Sequence, residues 1–515
     1  MLILDRLDAK SLACVAMVSI ASERNLIVQT LLLRAYRVGE CVIPCELNLP
    51  RRRGFNPPYK MSSWSFYLAW LKKRREDAWM PVAVGRQAGF FVADGGELKV
   101  NGVANRRYNE CSLLGIDARS DIEIINPIAM SSVESIRFRN VSCGYDFCVA
   151  VSLSGLVYTW GAGAGSLLYP GRMTHGRVGL GHGDRYSKFV PTLVQGLVKH
   201  RVFSVSTGYS HCIAVAESGA VFSWGLDDFG QCGHGAISKH THDNCQLTPA
   251  RISVLVRDGA RARNSSAGRH HSVVVTEKGS VYTFGRGTSG VLGHGDRLHQ
   301  FTPKIVRKLS HVCIASTASG DNHTLALTVD GMVFSWGENV VGELGTGTRV
   351  SSDIPVPVHS ADGASRLRNI RCVAATLYAS CAVSALGELY TWGYGALLGH
   401  GADKISSWGT CSNFILLPRR VEELRSVIVR AISLRRWENE ESQTTVVTDK
   451  GMVLGWGWGT ARTGEINRPF PDSDPISTPC IYSNLTCSPP FGVGVAECDI
   501  GEMWSKISYH ISTQF

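Results

Sequence analysis

From Gly155 onward, short runs of β-branched and aromatic residues alternate with glycine-rich breaks. Six runs share one spelling: GLVYTWG at Gly155, then GAVFSWG, GSVYTFG, GMVFSWG, GELYTWG and GMVLGWG. Each is apolar on both faces of an extended strand, so each predicts a short strand covered on both sides. The flanking glycines predict tight turns at both ends. A second apolar segment precedes each run, as in VSTGYSHCIAVAESG, and a glycine-rich turn such as GVLGHGD follows it. Then a proline enters a further strand, at Pro191, Pro249, Pro303, Pro357, Pro418 and Pro479.

The pattern has a period. The aromatic of each aromatic–glycine pair falls at Trp160, Trp224, Phe284, Trp336, Trp392 and Trp456, at intervals of 64, 60, 52, 56 and 64 residues. A worn seventh copy, GELKVNG, places Asn101 59 residues before Trp160. Units of this length exceed one coil of a solenoid and suggest small sheets. Seven sheets that cover one another close into a ring with no bare end to cap. The expected fold is all-β, a seven-bladed β-propeller over residues 80–515, preceded by a small α-helical segment over 1–79. The six aromatics are the expected wedges between blades.

These motifs in phase, G-x-V-[FY]-[ST]-W-G, G-x-x-H and G-x-L-G-x-G, resemble the regulator of chromosome condensation family. The resemblance runs from about Pro81 to the C-terminus and implies the seven-bladed propeller. It also implies that first and last strands share one blade, with Val82–Leu98 read as the incoming half. The turn motif is lost at TARTGEIN, and 491–515 shows no repeat.

Residues 1–79 fall outside the repeat. LDRLDAKSLACVAMVS reads as helix–turn–helix, with Asp8 able to cap a helix bearing Leu12, Val15 and Val18. SSWSFYLAWLKKRREDAW places Trp64, Tyr67, Leu68 and Leu71 on one helical face. The first stretch resembles the second half of an F-box. That resemblance implies contact with a Skp-type adaptor and cullin through Leu4, Leu7, Leu12, Val15 and Val18. The missing first helix, and IASERN where the motif has Trp or Arg, imply a truncated or inactive box.

Charge refines the picture only slightly. Of the net +10, residues 1–79 carry +6 (thirteen Lys/Arg against seven Asp/Glu), concentrated at Arg51–Arg53 and Lys72–Arg75. We read these clusters as solvated helix faces rather than a nucleic-acid footprint. No apolar run approaches the ~18–20 residues of a membrane span, and the start lacks the pattern of a signal peptide. Sixteen cysteines without a CxxC pair suggest reduced, buried thiols. The expected location is therefore cytoplasmic or nuclear.

Candidate chemistry is sparse. His182, His234, His294 and His400 recur in the glycine-rich turns, and His211, His271 and His323 recur in G-x-x-H. One per blade, they cannot converge on an ion, and each is expected to bond backbone within its own blade. GAGAG at Gly161–Gly165 has no following GK[ST]. No catalytic, metal or cofactor residues are assigned, and no enzyme activity or cofactor is expected.

Three functions compete. The first is a protein-interaction scaffold whose propeller face binds a partner, with the F-box-like segment as a link to a ubiquitin ligase. The second is guanine-nucleotide exchange on a Ran-like GTPase, which the founding member of the family performs. Exchange requires only preferential binding of the nucleotide-free state, but family membership does not transmit it. The third is light sensing, since a plant ultraviolet-B photoreceptor shares the repeat. Its tryptophans occupy the second place of G-x-x-H, where this chain has Tyr145, Tyr209, Arg269, Asp321 and Tyr378. Light sensing is rejected on that ground.

Overall fold

The computed structural model describes residues 81–84, 88–104, 114–116, 122–145, 147–162, 180–184, 186–235, 244–394, 398–400, 414–436, 442–457 and 476–486. The helical segment expected over 1–79, with Leu4, Leu7, Leu12, Val15 and Val18, lies outside them. So do the acidic run 438–441 and the tail beyond 486.

The strands form seven four-stranded antiparallel sheets, each made of four strands consecutive in the chain. The blades are 82–129, 138–193, 202–251, 262–305, 314–357, 370–420 and 429–486, numbered 1 to 7 below. First strands of successive blades lie against one another around the axis. The repeated seven letters are the third strand of each blade. Its aromatic always faces the same place on the second strand: Cys148–Trp160, Cys212–Trp224, Ser272–Phe284, Thr324–Trp336, Ser380–Trp392 and Thr444–Trp456. Gly89–Asn101 is the same pair in blade 1.

Those six aromatics are fully buried. Each packs with residues of the preceding blade: Trp160 against Phe90, Trp224 with Val149 and Val151, and Trp336 with Val273 and Val275. Each such ring buries a large apolar area between one blade and the next, together with the aliphatic residues around it.

Two expectations are corrected. Among the described residues no blade is shared between the two ends of the repeat: blade 1 takes all four strands from 82–129, and blade 7 all four from 429–486. The ring closes instead through an apolar seam, with Val82, Phe91 and Ala93 packed on Ala431, Val447 and Val453. Side-chain packing therefore replaces the strand pairing that the family resemblance implied. The in-phase proline of blade 5 is Pro355, not Pro357, because Ser352 pairs with Gly337 as Gln300 pairs with Gly285 and Lys188 with Gly161. The phase also reveals Pro127 in blade 1. These prolines lie on the outermost strands, where a missing N–H costs no ladder bond and blunts edge-to-edge pairing.

Candidate protein-binding face

The turn between first and second strands and the loop between third and fourth strands emerge on the same side of every blade, because the strands alternate in direction. This face is built on a hydrogen-bonded scaffold of histidines and hydroxyls.

The histidine of G-x-x-H opens the second strand and reaches the next blade. His211 Nε2 lies 2.9 Å from Ser272 Oγ, His271 Nε2 3.1 Å from Thr324 Oγ1, and His323 Nε2 2.8 Å from Ser380 Oγ. Each hydroxyl donates onward to a loop carbonyl: Ser272 to Gln231 O, Thr324 to Val291 O and Ser380 to Glu343 O. The hydroxyl's proton is thereby committed, so the histidine Nε2–H must be the donor between them. The glycine of the motif is required by the ring. A Cβ on Gly208 would lie 2.3 Å from His211 Cε1, and one on Gly320 would lie 2.5 Å from His323 Cε1.

The second histidine set stays within its own blade. His182, His234, His294 and His400 place Nε2 at 2.9–3.0 Å from Thr159, Ser223, Thr283 and Thr391, respectively. These hydroxyls, the polar letter of the repeated heptad, donate to Leu180 O, Cys232 O, Leu292 O and Leu398 O. The expectation that every histidine bonds backbone in its own blade is corrected for His211, His271 and His323, which cross to a hydroxyl of the next blade. His234, His294 and His400 stay in their own blade and meet the backbone of Ser223, Thr283 and Thr391 as well as its hydroxyl.

Burial holds these rings neutral. The pKa values of His211, His271 and His323 are pushed down to about 3, with desolvation the leading cause. Those of His294 and His400 fall to about 4 by burial and then the nearby Lys304 and Arg419. Among the described residues no group of three or more His, Cys, Asp or Glu is placed to hold a metal ion.

On this scaffold the second residue of the turn is half-buried at the face in blades 2 to 5, as Tyr145, Tyr209, Arg269 and Asp321. In blade 6 that place belongs to buried Leu377 rather than the expected Tyr378, because Thr376 N–H donates to Ala379 O as Gly320 N–H donates to His323 O. Neighbouring turns bond to one another: Tyr145 N–H donates to Tyr209 O at 3.0 Å, and Tyr209 N–H to Arg269 O at 3.4 Å. The Tyr145 and Tyr209 rings stack with centroids 4.4 Å apart. The Arg269 guanidinium lies 5.2 Å from the Tyr209 centroid. His270 contacts both Tyr209 and Phe229, and Phe229 also meets His299 and the Arg286 guanidinium. The result is a continuous run of rings and cations across blades 2, 3 and 4. Burial, and then Arg269 and Arg286, lower the His270 pKa to about 4, so His270 adds no charge to that of the two arginines at neutral pH. Blade 5 answers with acid: Asp321 occupies the turn, and Asn322 Nδ2 donates to Glu338 Oε2 at 2.7 Å. Beyond it, Arg349 lies 4.8 Å over the Phe414 ring.

The five described tryptophans are all buried at blade junctions, and none is in these turns. Reading the sequence missed Phe229, Arg286 and His299. The only signal was an aromatic at the variable second place of G-x-x-H in two consecutive copies.

The model of the RCC1-like domain matches residues 69–372 and 166–488. The chain belongs to this family. It is 32% identical over 321 residues to the ultraviolet-B receptor UVR8 of Arabidopsis thaliana, covering 62% of this chain and 64% of the receptor. It is 31% identical over 355 residues to the human E3 ubiquitin-protein ligase HERC2, covering 67% of this chain and 7% of the ligase. The chain thus spans less than two thirds of either relative. Among solved structures, Prp20p of Saccharomyces cerevisiae, described with its binding to Gsp1p and histones, superposes with a TM-score of 0.55 at 20% identity, covering 68% of this chain and 79% of that one. That likeness concerns the fold alone.

Proposed function

We propose that this propeller is a partner-binding module that carries out no covalent chemistry and recognises a protein through the face bearing Tyr145, Tyr209, Phe229, Arg269, Arg286 and His299. The observation that carries this reading is the continuous aromatic–cationic run across three blades. Amphipathic rings and arginines on a rigid base are the side chains that dominate protein recognition. The neutral, buried histidines beneath serve the scaffold rather than proton transfer.

Affinity purification of the intact chain, with partners identified by mass spectrometry, tests the reading. Tyr209→Ala with Arg269→Glu should lose the specific partner. Arg307→Glu with Lys308→Glu, in the connection to blade 5 on the opposite side, should keep it. Equal capture by both variants overturns the assignment of this face.

The F-box-like stretch extends the proposal. Leu4, Leu7, Leu12, Val15 and Val18 would contact a Skp-type adaptor and so bring the propeller to a cullin-based ubiquitin ligase as its substrate-recognition subunit. Leu12→Asp with Val15→Asp should then abolish co-purification of adaptor and cullin. Absence of adaptor from the unmodified chain overturns this part alone. The competing reading is guanine-nucleotide exchange on a Ran-like GTPase, supported only by the binding described for Prp20p. Nucleotide release from Ran, followed by stopped flow, separates the two, and strong acceleration would favour exchange. A cytoplasmic or nuclear location belongs to the same proposal, and imaging of the tagged chain checks it.

A further inference from the structure

Cys143 ends the first strand of blade 2, and Cys148 faces it directly on the second. Gly144 N–H donates to Phe147 O at 2.8 Å. The next pair along, Cys143–Cys148, therefore occupies a non-hydrogen-bonded position, where Cα atoms approach to about 4.5 Å. That separation falls within the span a disulfide bridges. Their Sγ atoms are 3.2 Å apart, and both residues are buried. They close the segment CGYDFC, whose Tyr145 stacks on Tyr209 at the recognition face. The corresponding pairs in the next four blades are Thr207–Cys212, Ala267–Ser272, Ser319–Thr324 and Ala375–Ser380. Only blade 2 among these places two thiols there. Cys148 also takes the slot filled by a hydroxyl wherever the preceding blade sends a histidine across. Blade 1 has Ala88 in that place, so no hydroxyl is needed.

We propose that Cys143 and Cys148 form a reversible oxidation site, in which a peroxide converts the two thiols into a disulfide that fastens the turn carrying Tyr145. The consequence for recognition rests on the proposed binding face, while the bond itself does not. The Cys143 thiolate attacks one peroxide oxygen, the O–O bond breaks, and the departing hydroxide takes a proton to become water. The sulfenic acid so formed is attacked at sulfur by the Cys148 thiolate. Its hydroxide leaves, likewise as water, and the S–S bond forms. Two thiols and one hydrogen peroxide give one disulfide and two waters, with two electrons passing from sulfur to peroxide. A dithiol reductant reverses the step by exchange. The pair lies directly beneath a surface turn, so local opening of the hairpin end admits the oxidant.

The test treats the full chain with hydrogen peroxide, alkylates the remaining thiols after denaturation, and maps peptides without reduction. A Cys143–Cys148 link is expected, lighter by two hydrogens and resistant to alkylation until dithiothreitol is added. Hydrogen exchange of the Gly144–Phe147 amides should slow on oxidation and recover on reduction. Cys148→Ser, with serine already present in this slot at Ser272 and Ser380, should keep the fold and abolish both changes. Alkylatable Cys143 and Cys148 while other cysteines oxidise, pairing of either with a different cysteine, or unchanged exchange in the linked form would each overturn the proposal. No partner enters the assay, so its failure leaves the binding-face reading to be judged by the Tyr209 and Arg269 variants.

Discussion

The imidazole of His323 donates from Nε2 to the Ser380 hydroxyl of the next blade, 2.8 Å away, and that hydroxyl donates in turn to Glu343 O at 2.8 Å. The same relay joins blades 3 to 4 and 4 to 5. Where a blade lacks the histidine, as at Ala88 and Phe147, the following blade carries Cys148 and Cys212 in place of the hydroxyl. Blade 7 departs from this pairing, with Thr444 following Ala379.

Ser380→Ala should therefore be costly for so small a change. It leaves a buried N–H of His323 unanswered, and such a loss is worth about 1–3 kcal/mol. Urea unfolding checks it. A double-mutant cycle with His323→Ala should show positive coupling. Additive losses would show that the pair does not act as a unit.

The buried histidines set a pH dependence. Their folded pKa values of about 3 to about 4 lie below the ordinary 6.5. Above pH 6.5 both states are neutral and the groups contribute no slope. As pH falls below 6.5 the unfolded chain binds protons that the folded chain refuses, so stability drops. Each such histidine contributes a slope of up to about 1.4 kcal/mol per pH unit through that window. Unfolding midpoints measured from pH 7.5 to 5 should fall steeply below 6.5. A flat profile would show that the rings protonate in place.

Trp336 and Trp224 occupy equivalent positions but differ in one bond. Trp336 Nε1 donates to Val291 O at 2.7 Å, whereas the buried Trp224 Nε1 has no hydrogen-bond partner among the described residues. Trp→Phe removes the same volume at both, and Phe284 shows that phenylalanine fits the slot. Trp336→Phe should cost about 1 kcal/mol more than Trp224→Phe. Thermal and urea denaturation decide it, and equal losses would show that the indole bond adds nothing. Trp336→Ala should cost about 3–5 kcal/mol.

The fold was legible because one strand recurs in phase, and the aromatic–glycine pair survives in six of seven copies. The bonds between blades were not, since His211 and Ser272 are 61 residues apart and His323 and Ser380 are 57 apart. Only the structure shows which histidine meets which hydroxyl. Blade 5 hid its phase for a simpler reason. SDIPVP offers two prolines, and the pairing of Ser352 with Gly337 selects Pro355. The binding face was least legible, because Tyr145, Tyr209 and Arg269 occupy a place where the motif dictates nothing. Phe229 and Arg286 join them from loops that vary among blades.

Asn101 marks where the repeat is most worn, and it should be improvable. It stands in blade 1 at the register position of the interblade aromatics, opposite Gly89. It is fully buried, yet neither its amide nitrogen nor its carbonyl oxygen has a hydrogen-bond partner among the described residues. Burying an unanswered amide costs about 1–3 kcal/mol. Leucine keeps the branched shape of asparagine with no polar atoms but is moderately larger, so Asn101→Leu should raise stability by about 1 kcal/mol, the relief of the buried amide outweighing the added bulk. A larger ring is less suited, since the Asn101 side chain already sits close on the facing Gly89, where an added Cβ would lie 2.5 Å from Asn101 Oδ1. The check is the urea midpoint of Asn101→Leu beside that of the unmodified chain. A loss of stability would show that the Asn101 amide is answered, and that the closing seam depends on it.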